Sequence, residues 1–393
     1  MRIGHYMSGM WDQGGVASYI RRLAAAQIRH NHTVFLFDRK ASSARDLAGT
    51  TLTPRIVPTG HDLFAEANRL ELDILNLHQV VDALPDRLPV PTIRTLHNHA
   101  AYCPSGTQYL EAKKQPCHRV VSAGGCLWGH LAEYCGSLRP QNIIAGFRRT
   151  RNHQKQLARI PSITVSDFMK DQMVRAGYDP DRIFTVHSPA PPSTQNRSAP
   201  PKNTTPRFLF LGRLVPEKGV DWLLQALGNV QSTVHVDIAG DGYAKGDYEA
   251  LSKELGVAGQ VTFHGWLEPD SVNDLIRQAR ALVFPSVWHE PAGLVPLEGA
   301  ANGRPTIAGR TGGIPEYVTN EYGLLVSPHD ASGLAQALDQ LAQNWSLADR
   351  LGRSGLKLAQ SRFSMRSFID RLHLVYRRAI RLHTRERPPN ASL

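Results

Sequence analysis

The sequence predicts an α/β protein of two doubly wound domains, each a parallel sheet wrapped by helices, facing one another across a cleft. Three observations lead there. At 393 residues the chain exceeds what one hydrophobic core ordinarily organises. In both halves short apolar runs of strand character alternate with helix-like runs, which is the rhythm of parallel strands joined by crossover helices. Between the halves, residues 188–201 read Ser-Pro-Ala-Pro-Pro-Ser-Thr-Gln-Asn-Arg-Ser-Ala-Pro-Pro, a run that cannot hold regular structure and is expected to be a linker.

Met1 to Met7 reads as the first buried strand. Gly14-Gly15 then opens a helix through Ala26 with Arg21 and Arg22 on its outer face, and His32 to Phe37 is the second strand. Leu72 to His78 and Pro91 to His97 are short buried strands with polar ends. Residues 98–140 break the rhythm and are expected to be an irregular insertion; residues 141–159 resume as a basic helical stretch, followed by strand Ser162 to Val165 and a helix from Asp167 to Ala176. After the linker a second strand–helix series runs from Phe208 to about Trp345, and Ser364 to His383 is amphipathic, with Phe368, Leu372, Val375 and Tyr376 on one side. The boundaries that follow are a first domain over 1–188, a linker over 189–205, a second domain over 206–363, a C-terminal helix over 364–385 and a disordered tail over 386–393.

A hydrophobic content of 41% with 20% charged residues describes a soluble globular chain. No apolar run approaches the roughly eighteen residues needed to span a bilayer, and the N-terminus lacks the apolar core and cleavage site of a signal peptide. A cytoplasmic protein is expected, and peripheral attachment to the inner face of the membrane stays open. The formal charge of +11 calls for anionic partners: nucleotide phosphates, lipid headgroups or nucleic acid. Nucleic acid is set aside, because the chain has neither aromatic–basic interleaving nor a nucleic-acid motif. Cys103, Cys117, Cys126 and Cys135 all fall in the irregular window, without the paired spacing of a zinc ribbon. A bound metal, aided by His118 or His130, disulfides, and plain thiols are the three open readings.

The chemistry concentrates in the second half. Ala281 to Ser286 reads as a buried strand closed by a proline turn, so Glu290 falls in the loop at its carboxyl edge. Glu298 falls on the helix opened by Gly293, Leu294 and Val295, with Pro296 tolerated in a first turn whose amides lack intrahelical partners. Those amides and the helix dipole favour an anion, and the two carboxylates can accept from hydroxyls. Upstream, Arg207 to Val220 is a strand followed by a glycine turn, and Arg213 and Lys218 leave the same sheet edge as Glu290, able to neutralise a diphosphate.

Together with Gly14-Gly15, Thr95-Leu96-His97, Val165 to Phe168, Gly212-Arg213 to Lys218-Gly219, Ala239 to Gly242, Phe284-Pro285-Ser286 and Gly312-Gly313 to Glu316, this set resembles the retaining glycosyltransferases of family four, over about residues 1 to 380. The resemblance implies the GT-B fold of two Rossmann-like domains, with the first on the acceptor side and the C-terminal helix packed back on it. It implies a nucleotide-diphosphate sugar as co-substrate, no cofactor, and a saccharide or lipid-linked saccharide as acceptor. By resemblance Glu290 contacts donor-sugar hydroxyls, Glu298 the ribose, and His97 the sugar near its reacting carbon; Gly14, Gly15, Gly212, Arg213, Lys218, Gly293, Leu294 and Val295 complete the donor site, and Glu316 supports it. His97-Asn98-His99 departs from the family's commoner pattern and leaves a two-histidine metal site open. The one Asp-x-Asp, Asp179-Pro180-Asp181, reads as a turn rather than a metal site, so the leaving diphosphate is expected to be neutralised without metal. A nucleotide-sugar epimerase of the same architecture is the alternative. Finally, Arg139, Arg148, Arg149, Arg151, Lys155 and Arg159, interleaved with Ile143, Ile144 and Phe147, suggest a helix lying on an anionic membrane.

Overall fold

Seven short runs in the first part of the chain meet in one parallel sheet. The computed structural model of the protein describes residues 1–12, 14–40, 44–192, 199–202 and 204–385; the expected tail over 386–393 and Ser193 to Ser198 of the expected linker lie outside them. Two compact units emerge: Met1–Gly106 with Ile144–Val186 and the chain from Met365, and Thr107–Ile143 with His187–Ser364.

The strands, in chain order, are β1 (Arg2–Tyr6), β2 (Thr33–Asp38), β3 (Arg45–Leu47), β4 (Thr50–Leu52), β5 (Arg55–Ile56), β6 (Ile74–Leu77), β7 (Thr92–Leu96), β8 (Tyr109–Leu110), β9 (Gln115–Pro116), β10 (Ser162–Thr164) and β11 (Ile183–Thr185). The first sheet has the order β11-β10-β7-β6-β1-β2-β5, all parallel, while β3–β4 and β8–β9 are small antiparallel pairs. Around and beyond it are α1 (Gly15–Arg29), α2 (Gly60–Arg69), α3 (Ala123–Glu133), α4 (Pro140–Lys155) and α5 (Asp167–Arg175). Local chemistry starts these helices: Thr59 and Asp62 form a reciprocal capping box on α2, and the Ser166 hydroxyl accepts from the Met169 amide at 3.3 Å on α5.

The second sheet is built from β12 (Arg207–Leu211), β13 (His235–Ala239), β14 (Val261–Gly265), β15 (Ala281–Phe284), β16 (Thr306–Gly309) and β17 (Gly323–Val326), ordered β14-β13-β12-β15-β16-β17 and again parallel. Its helices are α6 (Val220–Leu227), α7 (Lys245–Glu254), α8 (Pro269–Gln278), α9 (Leu294–Ala301), α10 (Ile314–Tyr317), α11 (Ala331–Gln343) and α12 (Trp345–Gln360). The four-residue runs β15 and β16 are buried at every position, as strands covered on both faces must be. In each sheet the first strand along the chain lies beside the fourth, so connections leave those two neighbours in opposite directions and their carboxyl ends stay uncovered.

The last helix, α13 (Met365–Arg385), belongs to the first unit. Its Phe368, Ile369, Leu372 and Tyr376 are buried in one cluster with Ile20 and Leu23 of α1, Ile74 and Ile93. Tyr376 is also tied by hydrogen bonds: its oxygen accepts from Asn76 Nδ2 at 3.0 Å, and Asn76 Oδ1 accepts from Thr95 Oγ1 at 3.0 Å.

Chain order assigns the irregular window to the first domain, but the structure groups residues 107–143 with the second unit. The reasons are local. Tyr109 is buried in the second unit's core, Lys114 Nζ lies 3.0 Å from Asp221 Oδ2 on α6, and the Trp288 indole N–H donates to the Thr107 carbonyl. On the other side of the linker, the Ala190 amide donates to the Phe363 carbonyl at 2.8 Å and Trp345 Nε1 to the Pro200 carbonyl at 2.8 Å. Both flanks of the linker are thus fastened to the second unit.

Phe368→Ala should lower the unfolding free energy of the first unit by about 3–5 kcal/mol, the range for removing a buried aromatic ring. Leu374→Ala on the exposed side of α13 should stay within about 0.5 kcal/mol of the native protein. Urea unfolding of the two variants, followed by circular dichroism, checks the contrast.

Candidate active site

The uncovered edge of the second sheet lies between β12 and β15, and a buried ion pair forms there. Lys218 comes from the turn after β12 and Glu290 from the loop after β15; Lys218 Nζ is 2.5 Å from Glu290 Oε1, with side chains 12% and 7% exposed. The Ser286 hydroxyl lies 2.9 Å from the same Oε1 and 3.1 Å from the Glu217 carbonyl. The Lys218 ammonium stands over the rings of Trp288, at 5.1 Å, and Phe284, at 5.6 Å, a setting that favours a cation. Glu290 Oε2 has no hydrogen-bond partner among the described residues, so one carboxylate oxygen is spent on the pair and the other can accept from a ligand hydroxyl.

Two glycines hold this geometry. Gly219 has φ +69° and caps α6; a Cβ there would lie 2.0 Å from the Pro285 carbonyl oxygen. Gly312 has φ +56°, and a Cβ there would lie 2.5 Å from both the amide nitrogen and the carbonyl oxygen of Glu290. The next residue, Gly313, donates its amide to the Glu290 carbonyl at 2.7 Å. The loop after β16 therefore fixes the backbone of Glu290 by close approach that only glycine allows.

The other expected donor residues are dispersed around this pair. Gly293 caps α9, Leu294 and Val295 form its first turn, and Glu298 lies further along it, half-buried. Gly212 follows β12, its amide donating to the Ala239 carbonyl at 3.1 Å. Arg213 does not join the pair: its side chain is 67% exposed, 3.4 Å from Glu217 Oε1 four residues on. Glu316 is engaged by His187 Nε2 at 2.7 Å. Trp288 did not stand out as functional from the sequence, and the 107–143 segment that braces it stood out for its cysteines and cations rather than for any tie to Glu290. His118 of that segment packs edge-on against His289, ring centres 4.8 Å apart, beside Glu290. The break in strand–helix rhythm was the signal available, and it did not say which unit the segment joins.

In the first unit the uncovered edge lies between β1 and β6, and three histidines line up there. Gln27 Oε1 accepts from His5 Nε2 at 2.7 Å, His5 Nδ1 faces His78 Nε2 at 3.0 Å, and His78 Nδ1 faces His97 Nε2 at 3.1 Å. With the Gln27 carbonyl as the terminal acceptor, each ring carries its proton on Nε2 and accepts at Nδ1, which leaves His97 Nδ1 as an acceptor. Burial holds all three neutral: His5 and His97 are pushed down to about 4, and His78 falls well below the ordinary histidine value, with His5 and His97 adding to the effect. Tyr19 of α1 meets the His97 ring edge-on at 5.0 Å. Gly14, with φ +142°, caps α1, and no atom outside the chain neighbours lies within 4 Å of a Cβ built on Gly14 or Gly15.

Several residues expected at the site have other roles. His99 is buried, with Nδ1 2.6 Å from the Tyr102 hydroxyl. Asp179-Pro180-Asp181 is a turn, Asp179 Oδ1 accepting from the Asp181 amide at 2.9 Å. All four cysteines are thiols; Cys103 lies in the first unit and Cys117, Cys126 and Cys135 in the second. Among the described residues, no three of them bring their sulfurs within mutual ligating distance.

Residues 193–358 match the family model described as glycosyl transferases group 1. The matched stretch falls within the second unit. Curated relatives agree. The lipopolysaccharide core biosynthesis glycosyltransferase LpsD of Rhizobium meliloti is 34% identical over 48% of this chain and 53% of its own length. A D-inositol 3-phosphate glycosyltransferase of Saccharomonospora viridis is 29% identical over 95% of this chain and 91% of its own. The chain spans about half the length of the first curated relatives it matches, 45%, 48% and 53%. Among solved structures, the Anabaena protein HepE in complex with UDP superposes with a TM-score of 0.67 at 16% identity, over 96% of this chain and 99% of that one. WaaG, a glycosyltransferase involved in lipopolysaccharide biosynthesis, superposes with a TM-score of 0.63 at 16% identity over 97% of this chain and 99% of that one, and the two parallel-sheet α/β units have the GT-B fold.

Because the folded pKa values of His5 and His97 lie near 4, below the unfolded value near 6.5, the unfolded chain binds more protons between these limits. The stability these groups contribute is complete above pH 6.5 and should be lost progressively as pH falls toward 4. Urea unfolding of the first unit at pH 7.0, 5.5 and 4.5 should show that decline, and His5→Gln should make it shallower.

Proposed function

We propose that the chain is a glycosyltransferase that moves a sugar, with retention, from a nucleoside diphosphate sugar to a saccharide or lipid-linked saccharide. The observation that carries this reading is the buried Lys218–Glu290 pair at the uncovered sheet edge of a group 1 domain. On binding, the diphosphate takes Lys218, with Arg213 and the free amides at the start of α9 completing its neutralisation. Glu290 accepts from sugar hydroxyls and Glu298 from those of the ribose. His97 is assigned a sugar-holding role in which its neutral Nδ1 accepts a hydrogen bond from a sugar hydroxyl. As the bond from the anomeric carbon to the diphosphate breaks, an oxocarbenium-like sugar forms; the acceptor hydroxyl enters on the face the diphosphate leaves and gives its proton to the departing phosphate oxygen, which retains configuration. The structure with UDP among the fold's neighbours supports a uridine nucleotide as the first donor to test.

Glu290→Gln should keep the fold and lose tenfold or more in transfer, since removing a charged hydrogen bond costs about 1.5 to 3 kcal/mol. Lys218→Ala and Arg213→Ala should weaken UDP binding in isothermal titration, whereas Asp179→Asn should not. Activity is expected to survive chelator. Unchanged turnover in Glu290→Gln, or equal loss of UDP affinity at all three positions, rejects the site.

We also propose that the protein works at an anionic membrane surface. Among the described residues no helix is long and apolar enough to cross a bilayer. The apolar residues expected on α4 are not grouped on its surface: Ile143 joins Gly146, Thr150 and His153 in a buried stripe, leaving Ile144 exposed beside Arg148, Arg151 and Lys155. A stronger apolar face lies on α3 and just after it, where Leu127, Trp128 and Leu131 are 44%, 61% and 56% exposed, followed by exposed Tyr134 and Leu138. Each cation near an anionic surface contributes about 1 kcal/mol, weakened by salt. The protein should co-sediment with anionic vesicles at low ionic strength and release at high salt, with binding lost on changing Arg148, Arg149 and Arg151 to Glu and reduced by Trp128→Ser. Equal sedimentation with neutral and anionic vesicles overturns the proposal.

A further inference from the structure

The first unit buries a guanidinium that no carboxylate neutralises. Arg94 on β7 is 3% exposed; its Nε donates to Ser162 Oγ at 2.7 Å and its Nη1 to His153 Nδ1 at 2.9 Å. The Tyr178 ring lies over it at 5.3 Å, and the Tyr178 hydroxyl, which donates to the Ala101 carbonyl at 2.8 Å, is near enough to favour the cation, yet Nη2 meets no acceptor in hydrogen-bond geometry. No acid is among the groups acting on Arg94. An uncompensated buried cation is ordinarily costly, so its persistence here points to a counter-charge supplied from outside the fold.

The second orphan is His153 on α4. Because Nδ1 accepts from Arg94, the ring is neutral and carries its proton on Nε2, and this buried N–H also lacks a partner. Burial, and then the charges of Arg94 and Arg149, push the His153 pKa down to about 3. Arg94, His153 and Arg149 line one cavity of about 330 Å³ together with His97 and Asn98, and no aspartate or glutamate lines it. Arg149 also borders an adjoining groove that holds Arg148, Arg151 and Lys155. Two unmet buried donors, an arginine at the rim and no acid describe a receptor for an anion with several acceptor oxygens.

We propose that this recess binds a phosphate or carboxylate group carried by the sugar acceptor. The assignment of the ligand as the acceptor rests on the transferase reading; the anion site itself does not. His97 lines the same cavity, so an acceptor held by its anionic group would present its hydroxyls beside the histidine assigned to sugar binding. The acceptor class is then a phosphorylated or acidic saccharide rather than a neutral one.

The test uses full-length Lys218→Ala protein, so that phosphate cannot be read from the nucleotide side. Inorganic phosphate and glucose 6-phosphate are titrated calorimetrically against chloride at matched ionic strength. Both should bind, and Arg149→Met and His153→Phe should each weaken them about tenfold, as expected for loss of a charged or buried hydrogen bond. Arg94→Lys, which keeps the charge and loses the fork, should do the same; if it does not fold, the other two variants carry the result. No phosphate binding above chloride, or affinity unchanged in Arg149→Met and His153→Phe, overturns the proposal. So does binding confined to anionic vesicles, which would make the recess part of a lipid-facing surface. UDP titration of the protein with native Lys218 tests the transferase reading separately: failure there leaves the anion site standing without its assigned acceptor.

Discussion

The arrangement of the second unit depends on one buried ion pair, Lys218 with Glu290, and that pair depends on the order of the strands. Lys218 follows the first strand of the sheet and Glu290 the fourth, and these two are neighbours whose outgoing chains turn to opposite faces. Any other strand order would lay a crossover over the spot or set the charges several strands apart, at about 4.8 Å per strand. The same order recurs in the first unit, and there too the polar side chains gather at the end of the first strand, as the row from His5 to His97. Topology decides where polarity can be buried without being covered; the side chains decide what is done with it.

Buried in this way, the pair has a large stake in staying complete. Its net contribution to stability is modest, since desolvating two charges offsets most of their attraction, but removing one partner leaves the other uncompensated. That asymmetry suits a site awaiting an anion. A diphosphate that draws Lys218 away must leave Glu290 something in exchange, and hydroxyl donors on the same ligand meet that need. Ligands with the phosphate alone, or the hydroxyls alone, satisfy half the pair and strand the rest. Binding is therefore expected to favour molecules that carry both, which is the chemical description of a nucleotide sugar. The glycine contact of Gly312 with Glu290 adds rigidity, because the loop after β16 cannot move without taking that carboxylate with it.

What the sequence made legible follows from how local each signal is. The alternation of buried runs and amphipathic helices yields the parallel sheets; β15, for example, was readable as four apolar residues before a proline. The glycine turns around Lys218 and Glu290 were legible because backbone that must approach closely or adopt positive φ leaves glycine behind. Arg213 and Lys218 looked alike in sequence, two cations on the turn that follows one strand, yet one is exposed and the other buried; the difference lies in Trp288 and Phe284, which only tertiary packing brings to Lys218. The unit to which residues 107–143 belong was likewise hidden, since the contacts that decide it join Thr107 to Trp288 and Lys114 to Asp221, more than a hundred residues away. The histidine row was invisible for the same reason, its three members coming from the ends of three different strands.

Arg94 of the first unit is held differently from Lys218 of the second. Where the second unit matches its buried lysine with a glutamate, the first surrounds Arg94 with neutral groups: a hydroxyl, an aromatic face and a histidine that cannot take up a proton while it accepts from the guanidinium. A neutral neighbour orients a charge without cancelling it, so the field of Arg94 reaches further than that of Lys218. Burial first, and then the charges of Arg94 and Arg149, hold the His153 ring neutral; protonating it would add a second charge at 2.9 Å and break the bond that aims the first. Supplying an acid would instead fill the place of an incoming anion. A buried arginine held by neutral partners retains both its orientation and its unmet charge, and of the three arrangements it alone leaves a field for an anionic ligand to complete.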